Sequence, residues 1–168
     1  MMAARALAET VISGSFMGVR PGVKLAEVQQ LLPFKYVEEI HGRRRGSRAM
    51  RLDYGLLEVT FGNEPDWTCR SLQVEVHRLA GSPAICEEAR ALAGLEFAPY
   101  TPWSDVKGQL DVLGYDHTIN ASTSPGYQVF GLTESGVSLR VVNDVSCPRG
   151  EYPGHGDIWS LEIVRYPI

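Results

Sequence analysis

The segment Cys147-Pro148-Arg149-Gly150-Glu151-Tyr152-Pro153-Gly154-His155-Gly156-Asp157 gathers a thiol, an imidazole and a carboxylate within one short stretch. In that order Cys147 could attack as a nucleophile, with His155 as its base and Asp157 orienting the ring. Such chemistry needs a thiol of lowered pKa, and no neighbouring residue in the sequence supplies one. Prolines and glycines also separate the three groups by an unspecified path. As metal ligands the same residues make a mixed set without a fourth member or a standard spacing, so no metal is expected here. The reading favoured is a stiffened binding loop. Pro148 and Pro153 limit its conformations, Tyr152 offers a large amphipathic contact, and Arg149 and Glu151 offer charge-assisted hydrogen bonds. His155 and Asp157 belong to the same candidate surface.

A second group is His41-Gly42-Arg43-Arg44-Arg45-Gly46-Ser47-Arg48. Its arginines could grip phosphate or carboxylate, but no aromatic is interleaved for base stacking and Glu38-Glu39 precedes it. A solvated loop is the simpler expectation. Asp66 and Trp67, after Glu64-Pro65, form a second candidate contact point. Trp103 and Trp159 are expected in the core, the latter as the repeat partner of Trp67. No glycine-rich phosphate loop and no hydrolase or metalloprotease signature occurs, and no cofactor is expected.

The elements that would position these groups come in two matching sets. Ser71-Leu72-Gln73-Val74 recurs as Ser160-Leu161-Glu162-Ile163. Leu57, Val59 and Phe61 before Asn63 recur as Val137, Leu139 and Val141 before Asn143. Leu25, Val28, Leu31 and Leu32 mark a helix stopped by Pro33, and Trp103, Val106 and Leu110 mark its counterpart, with Thr101-Pro102 as cap and first residue and Gly114 at its end. Ala4-Arg5-Ala6-Leu7-Ala8 also matches Ala89-Arg90-Ala91-Leu92-Ala93. The expectation is an α+β fold of two tandem repeats, residues 1–82 and 83–168. Each repeat would be a helix followed by three antiparallel strands. Together they would form one six-stranded antiparallel sheet with helices on one face. Residues 71–77 alternate, which turns Gln73, Glu75 and His77 outward; Glu162 and Arg165 should face the same way. The connection before the last strand is the longer by about ten residues compared with Asn63–Thr68, and a loop grown in one copy alone suggests function.

Composition narrows the classes. Net charge is −4 with 16 basic against 20 acidic residues, which disfavours a general nucleic-acid binder. The three cysteines, Cys69, Cys86 and Cys147, are odd in number and unpaired in spacing, as expected of a reducing compartment. Glu9 interrupts what would be the apolar core of a signal peptide, and no run reaches the roughly 18 apolar residues of a membrane span. A cytoplasmic protein without a membrane segment is the expectation.

The duplicated plan, carried by the residues quoted above across about residues 18–167, resembles the tandem-repeat architecture of beta-lactamase inhibitory proteins. It is similar, too, to small actinobacterial immunity proteins that neutralise a cognate toxin. Beta-lactamase inhibitory proteins carry a disulfide in each half, and this chain has no matched cysteines. The resemblance implies a non-catalytic inhibitor whose partner is a protein, a toxin or an enzyme. It would bind through loops and a sheet face: Arg149, Glu151, Tyr152, His155 and Asp157 in the long loop, Asp66 and Trp67 in the short one, Glu75 and His77 on the outer strands. The alternatives are a small enzyme using Cys147 and His155, or a ligand-binding α+β protein.

Overall fold

A computed structural model describes residues 2–42, 48–62, 66–116 and 118–164. The chain runs α1 (Met2–Ser13), α2 (Leu25–Leu31), β1 (Val37–His41), β2 (Ala49–Asp53), β3 (Leu57–Gly62) and β4 (Thr68–Val74). It continues α3 (Arg78–Gly81), α4 (Pro83–Ala93), α5 (Trp103–Val112), β5 (Asn120–Ser124), β6 (Tyr127–Leu132), β7 (Val137–Val142) and β8 (Ile158–Val164). The fold is α+β with one antiparallel sheet, but the sheet has eight strands, in the order β1-β2-β3-β4-β8-β7-β6-β5. The expected six omitted β1 and β5, its two edges. Those strands are mostly exposed and so carry no inside-outside alternation.

The helices follow local chemistry. Pro83 opens α4, and Gly94, at φ 65, closes it with its N–H on the Arg90 carbonyl. Helix α5 starts one residue later than expected. Pro102 is the residue before it and no side chain caps it; Thr101 is instead buried, and its carbonyl accepts the Ile158 N–H at 2.9 Å. Helix α1 buries Ala3, Ala4, Leu7, Ala8 and Val11 and packs on α5.

One sheet face joins these helices in a single core. Leu52, Val59, Leu72, Leu139 and Leu161 are fully buried there with Leu7, Val28 and Val106, each large side chain contributing about 1.5–3 kcal/mol. Leu72 pairs with Val59 and Leu161 with Leu139, and the register shifts between Thr60 and Phe61 in one half and between Arg140 and Val141 in the other. Each shift leaves one extra residue on the partner strand: Arg70 in β4 and Trp159 in β8. The halves meet through β4 and β8, where Leu72 lies opposite Ile163 and Val74 opposite Leu161.

Each half also latches a helix start to a strand start. Val23 O accepts Cys69 N–H at 2.8 Å and Trp67 O accepts Leu25 N–H at 3.0 Å. In the second half Thr101 O accepts from Ile158 and Gly156 O accepts Trp103 N–H, both at 2.9 Å. Trp67 and Gly156 make the like hydrogen bonds in these latches, whereas Trp159 and Arg70 stand at the two register shifts, so the two tryptophans do not occupy matching places.

Candidate functional site on the open sheet face

The sheet face away from the core is built from Gln73, Glu75, Ser138, Arg140, Ser160 and Glu162 at its centre. The long loop, residues 143–157, reaches one end of it, where Tyr152 lies on Trp159 and the Glu151 carbonyl approaches Gly81. That loop is fixed from within. Asp157 is fully buried and takes Arg149 bidentately, Nε to Oδ2 at 2.8 Å and Nη2 to Oδ1 at 2.7 Å, together with the Gly154 N–H at 3.0 Å. The carboxylate holds Arg149 above its ordinary pKa. The guanidinium also lies 5.2 Å from the Tyr100 ring centroid, and Tyr100 donates its hydroxyl to Gly150 O at 2.6 Å. Pro153 and Gly154 are buried. A Cβ on Gly154 would stand 2.8 Å from Arg149 N, so only glycine fits there.

The loop's buttressing sets Tyr152 against Trp159, ring centroids 5.9 Å apart and 24° between planes, with Tyr152 left 58% exposed. Trp159 also stacks on His77 at 4.4 Å and 3°, and meets Tyr127 edge-on at 5.6 Å. His77 donates its backbone N–H to Trp159 O at 2.8 Å, tying the chain beyond β4 to β8. Beside His77 the Glu75 side chain is 8% exposed, its Oε2 3.1 Å from His77 Nδ1. That contact is too poorly aligned to hydrogen-bond the ring nitrogen.

The first half of the same face is charged. Arg51 donates to Glu58 at 3.1 Å and to Glu39 at 2.8 Å. Arg78 reaches Asp53 Oδ1 at 3.0 Å, Gly55 O at 2.8 Å, and Glu58. Burial alone would lower the Arg78 pKa; its hydrogen bond to Glu58 and the charges of Asp53, Glu58 and Glu75 outweigh this and hold it high.

The expected contact residues thus separate into groups. Tyr152, Glu75 and His77 meet at one end of the open face, and Glu151 is exposed beside Tyr152. Asp157 and Arg149 are spent on each other and shape the loop from behind. His155 lines a different cleft of about 520 Å³ on the helix side, with Trp103, Lys107 and Phe130. Asp66 and Trp67 lie at the other end of the sheet, because antiparallel pairing of β4 with β8 sets the starts of those strands apart. Seven residues of strand separate the two loops by roughly 20 Å. Trp67 packs half-buried against the core, and the carbonyl of Asp66 takes Thr68 Oγ1 at 2.8 Å. Asp66 and Trp67 do not share a surface with the long loop.

Trp159 was expected in the core and stands on the open face; Trp103 is half-buried against Phe130 at 4.8 Å. The missed signal for Trp159 was its offset. Aligned on Ser71 and Ser160, it replaces Arg70, an exposed residue, so a tryptophan at that position belongs to the surface. Tyr127, Arg51 and Glu58 were also missed, since strand pairing alone brings them to the site, and Arg78 reaches it from the start of α3. Arg43–Ser47, Asn63–Pro65 and Arg165 lie outside the described residues.

A thiol mechanism finds little support in this geometry. Among the described residues the Cys147 sulfur meets only the carbonyls of Pro148 and Pro153, at 3.9 and 3.8 Å, and Asp157 is engaged by Arg149 rather than by His155. Burial pushes the Cys69 thiol up to about 12 and raises Cys86. No group of three or more His, Cys, Asp or Glu among the described residues is placed to hold a metal ion, and no helix among them is long and apolar enough to cross a membrane. Comparisons with protein-family models, curated proteins and solved structures find no match to this chain.

Proposed function

We propose that this chain is a non-catalytic inhibitor of a protein partner, an immunity protein that binds and neutralises a cognate toxin or enzyme. It works from the cytoplasm and is built from two tandem copies of one α+β unit. Support for the duplication comes from the mirrored strand order, the register shifts at matching positions and the twin helix-to-strand latches. The observation that carries the binding role is Tyr152. It is 58% exposed, yet held in place by a loop whose own hydrogen bonds already fix its backbone. A pre-ordered aromatic loses little entropy on binding and makes a strong anchor.

The test is co-expression with the product of the adjoining coding sequence, followed by size-exclusion chromatography and calorimetry. A stable complex is expected, and Tyr152→Ala should weaken it by about 2 kcal/mol, roughly thirtyfold. No complex, or unaltered affinity in the variant, would remove the reading. Because the loop is tied to Tyr100 and contains the buried Asp157, cutting it down to the length of the 63–67 connection should lower stability as well as binding.

The helix-side cleft favours a second reading, a small-ligand binder. Its volume suits a small molecule, and Lys107 and His155 stand beside the Trp103–Phe130 pair. Saturable thermal stabilisation by a metabolite, lost on Trp103→Ala, would support that reading.

A further inference from the structure

We infer that the open sheet face receives a cationic side chain, an arginine presented by a loop of the protein partner, at Glu75 and Glu162 beside the Tyr152–Trp159 platform. This deepens the protein-binding reading and rests on it. The carboxylates of the face are unequally engaged. Glu39, Asp53 and Glu58 are each bound by Arg51 or Arg78. Glu162 makes no ion pair or hydrogen bond among the described residues. Glu75, with its side chain only 8% exposed, has just the poorly aligned contact with His77 and the more distant charge of Arg78. The atom left without a hydrogen bond at this spot is His77 Nδ1, and a carboxylate only 8% exposed whose one close contact is that imidazole gains a stronger partner in a cation entering from the open side.

The register brings the two groups together. Gln73 pairs with Glu162 and Val74 with Leu161; carried one step beyond the end of β4, that register sets Glu75 across from Ser160 and diagonal to Glu162, a spacing of roughly 7 Å between strands. Trp159 is the next residue along β8, and its rings are shared with Tyr152 and Tyr127. Carboxylates beside an aromatic surface suit a guanidinium, which can fork onto oxygen while its plane lies on a ring. Arg140, across from Ser160, is exposed and makes no ion pair with either carboxylate. The same arrangement repels phosphate, so the occupant is a protein rather than a nucleic acid.

The probe is a blocked eight-residue peptide carrying two arginines, compared with the same peptide carrying citrulline, a neutral isostere. Amide NMR of the full chain should show shifts at Glu75, Trp159 and Glu162 with the arginine peptide. Affinity should fall about tenfold with citrulline and with the Glu75→Gln/Glu162→Gln pair, the pair's fold being checked by its melting temperature. Equal binding of the two peptides, no binding at millimolar peptide, or no effect of the glutamine pair overturns the inference. The co-expressed partner separates the two ideas. A complex weakened by Tyr152→Ala but indifferent to the glutamine pair keeps the protein-binding role and removes the arginine site.

Discussion

The open face of the sheet has two regions of opposite chemistry. Over β2 and β3 it is an ion-pair lattice in which Arg51 and Arg78 join Glu39, Asp53 and Glu58. Over β6 and β8 it is an aromatic cluster of Tyr127, Trp159 and Tyr152. The residue at the bulge epitomises the difference, Arg70 in one half and Trp159 in the other. In the charged lattice each carboxylate is already taken by an arginine, while Arg51 Nε is left without a hydrogen bond. An aromatic surface with an exposed ring retains contact area to give. The two register shifts thus leave an exposed Arg70 in β4 and, in β8, the Trp159 on which the aromatic cluster is built.

The largest test of this contrast is Trp159→Ala. Removing the ring that His77, Tyr127 and Tyr152 share should destabilise the fold by about 3 kcal/mol. The loss is measured by urea unfolding and should be nearly independent of salt. Arg78→Met should cost less, about 2 kcal/mol, by leaving Asp53 and part of Glu58 unpaired. That cost should shrink in 1 M salt, roughly a 3 Å screening length. Equal salt dependence of the two variants would erase the distinction between the halves.

The smallest effect concerns the root of the long loop. Asp144 accepts the Ser146 hydroxyl at 2.6 Å and its N–H at 2.9 Å. These bonds, the hydroxyl's first, hold its carboxyl below the ordinary value. A depressed folded-state pKa contributes stability above the unfolded pKa and loses it as pH falls through the folded one. Ser146→Ala should move the Asp144 carbon resonance titration upward, toward the ordinary carboxylate range, with any stability change confined to pH above the native titration.

Legibility in the sequence followed burial. Leu72 and Leu161, expected to match and to be buried, are both fully buried and face Val59 and Leu139. One-sided burial stamps alternation on β3, β4, β7 and β8. Val37–His41 and Asn120–Ser124 bury almost nothing, so edge strands left no pattern to find. In the long loop, residue types told of stiffness and exposure at Tyr152. They could not tell that Asp157 faces inward, because its partner Arg149 lies eight residues back along an irregular path. The position of the short loop was misjudged for a topological reason. Antiparallel joining of β4 to β8 sends the starts of the two strands, and Asp66 and Trp67 with one of them, to opposite ends.

That joining also sets a timetable for synthesis. Strand β4 finds its outer neighbour in β8, the last strand of the sheet, and Leu72 pairs with Ile163. A ribosome adding about 5–20 residues per second makes the second residue roughly 5–20 seconds after the first. Throughout that interval the nascent first half carries a bare strand edge with Leu72 and Val74 along it. Such an edge can accept the β8 of another copy in place of its own. Crowded translation on one message would therefore favour exchanged dimers, and slower initiation would favour the closed monomer.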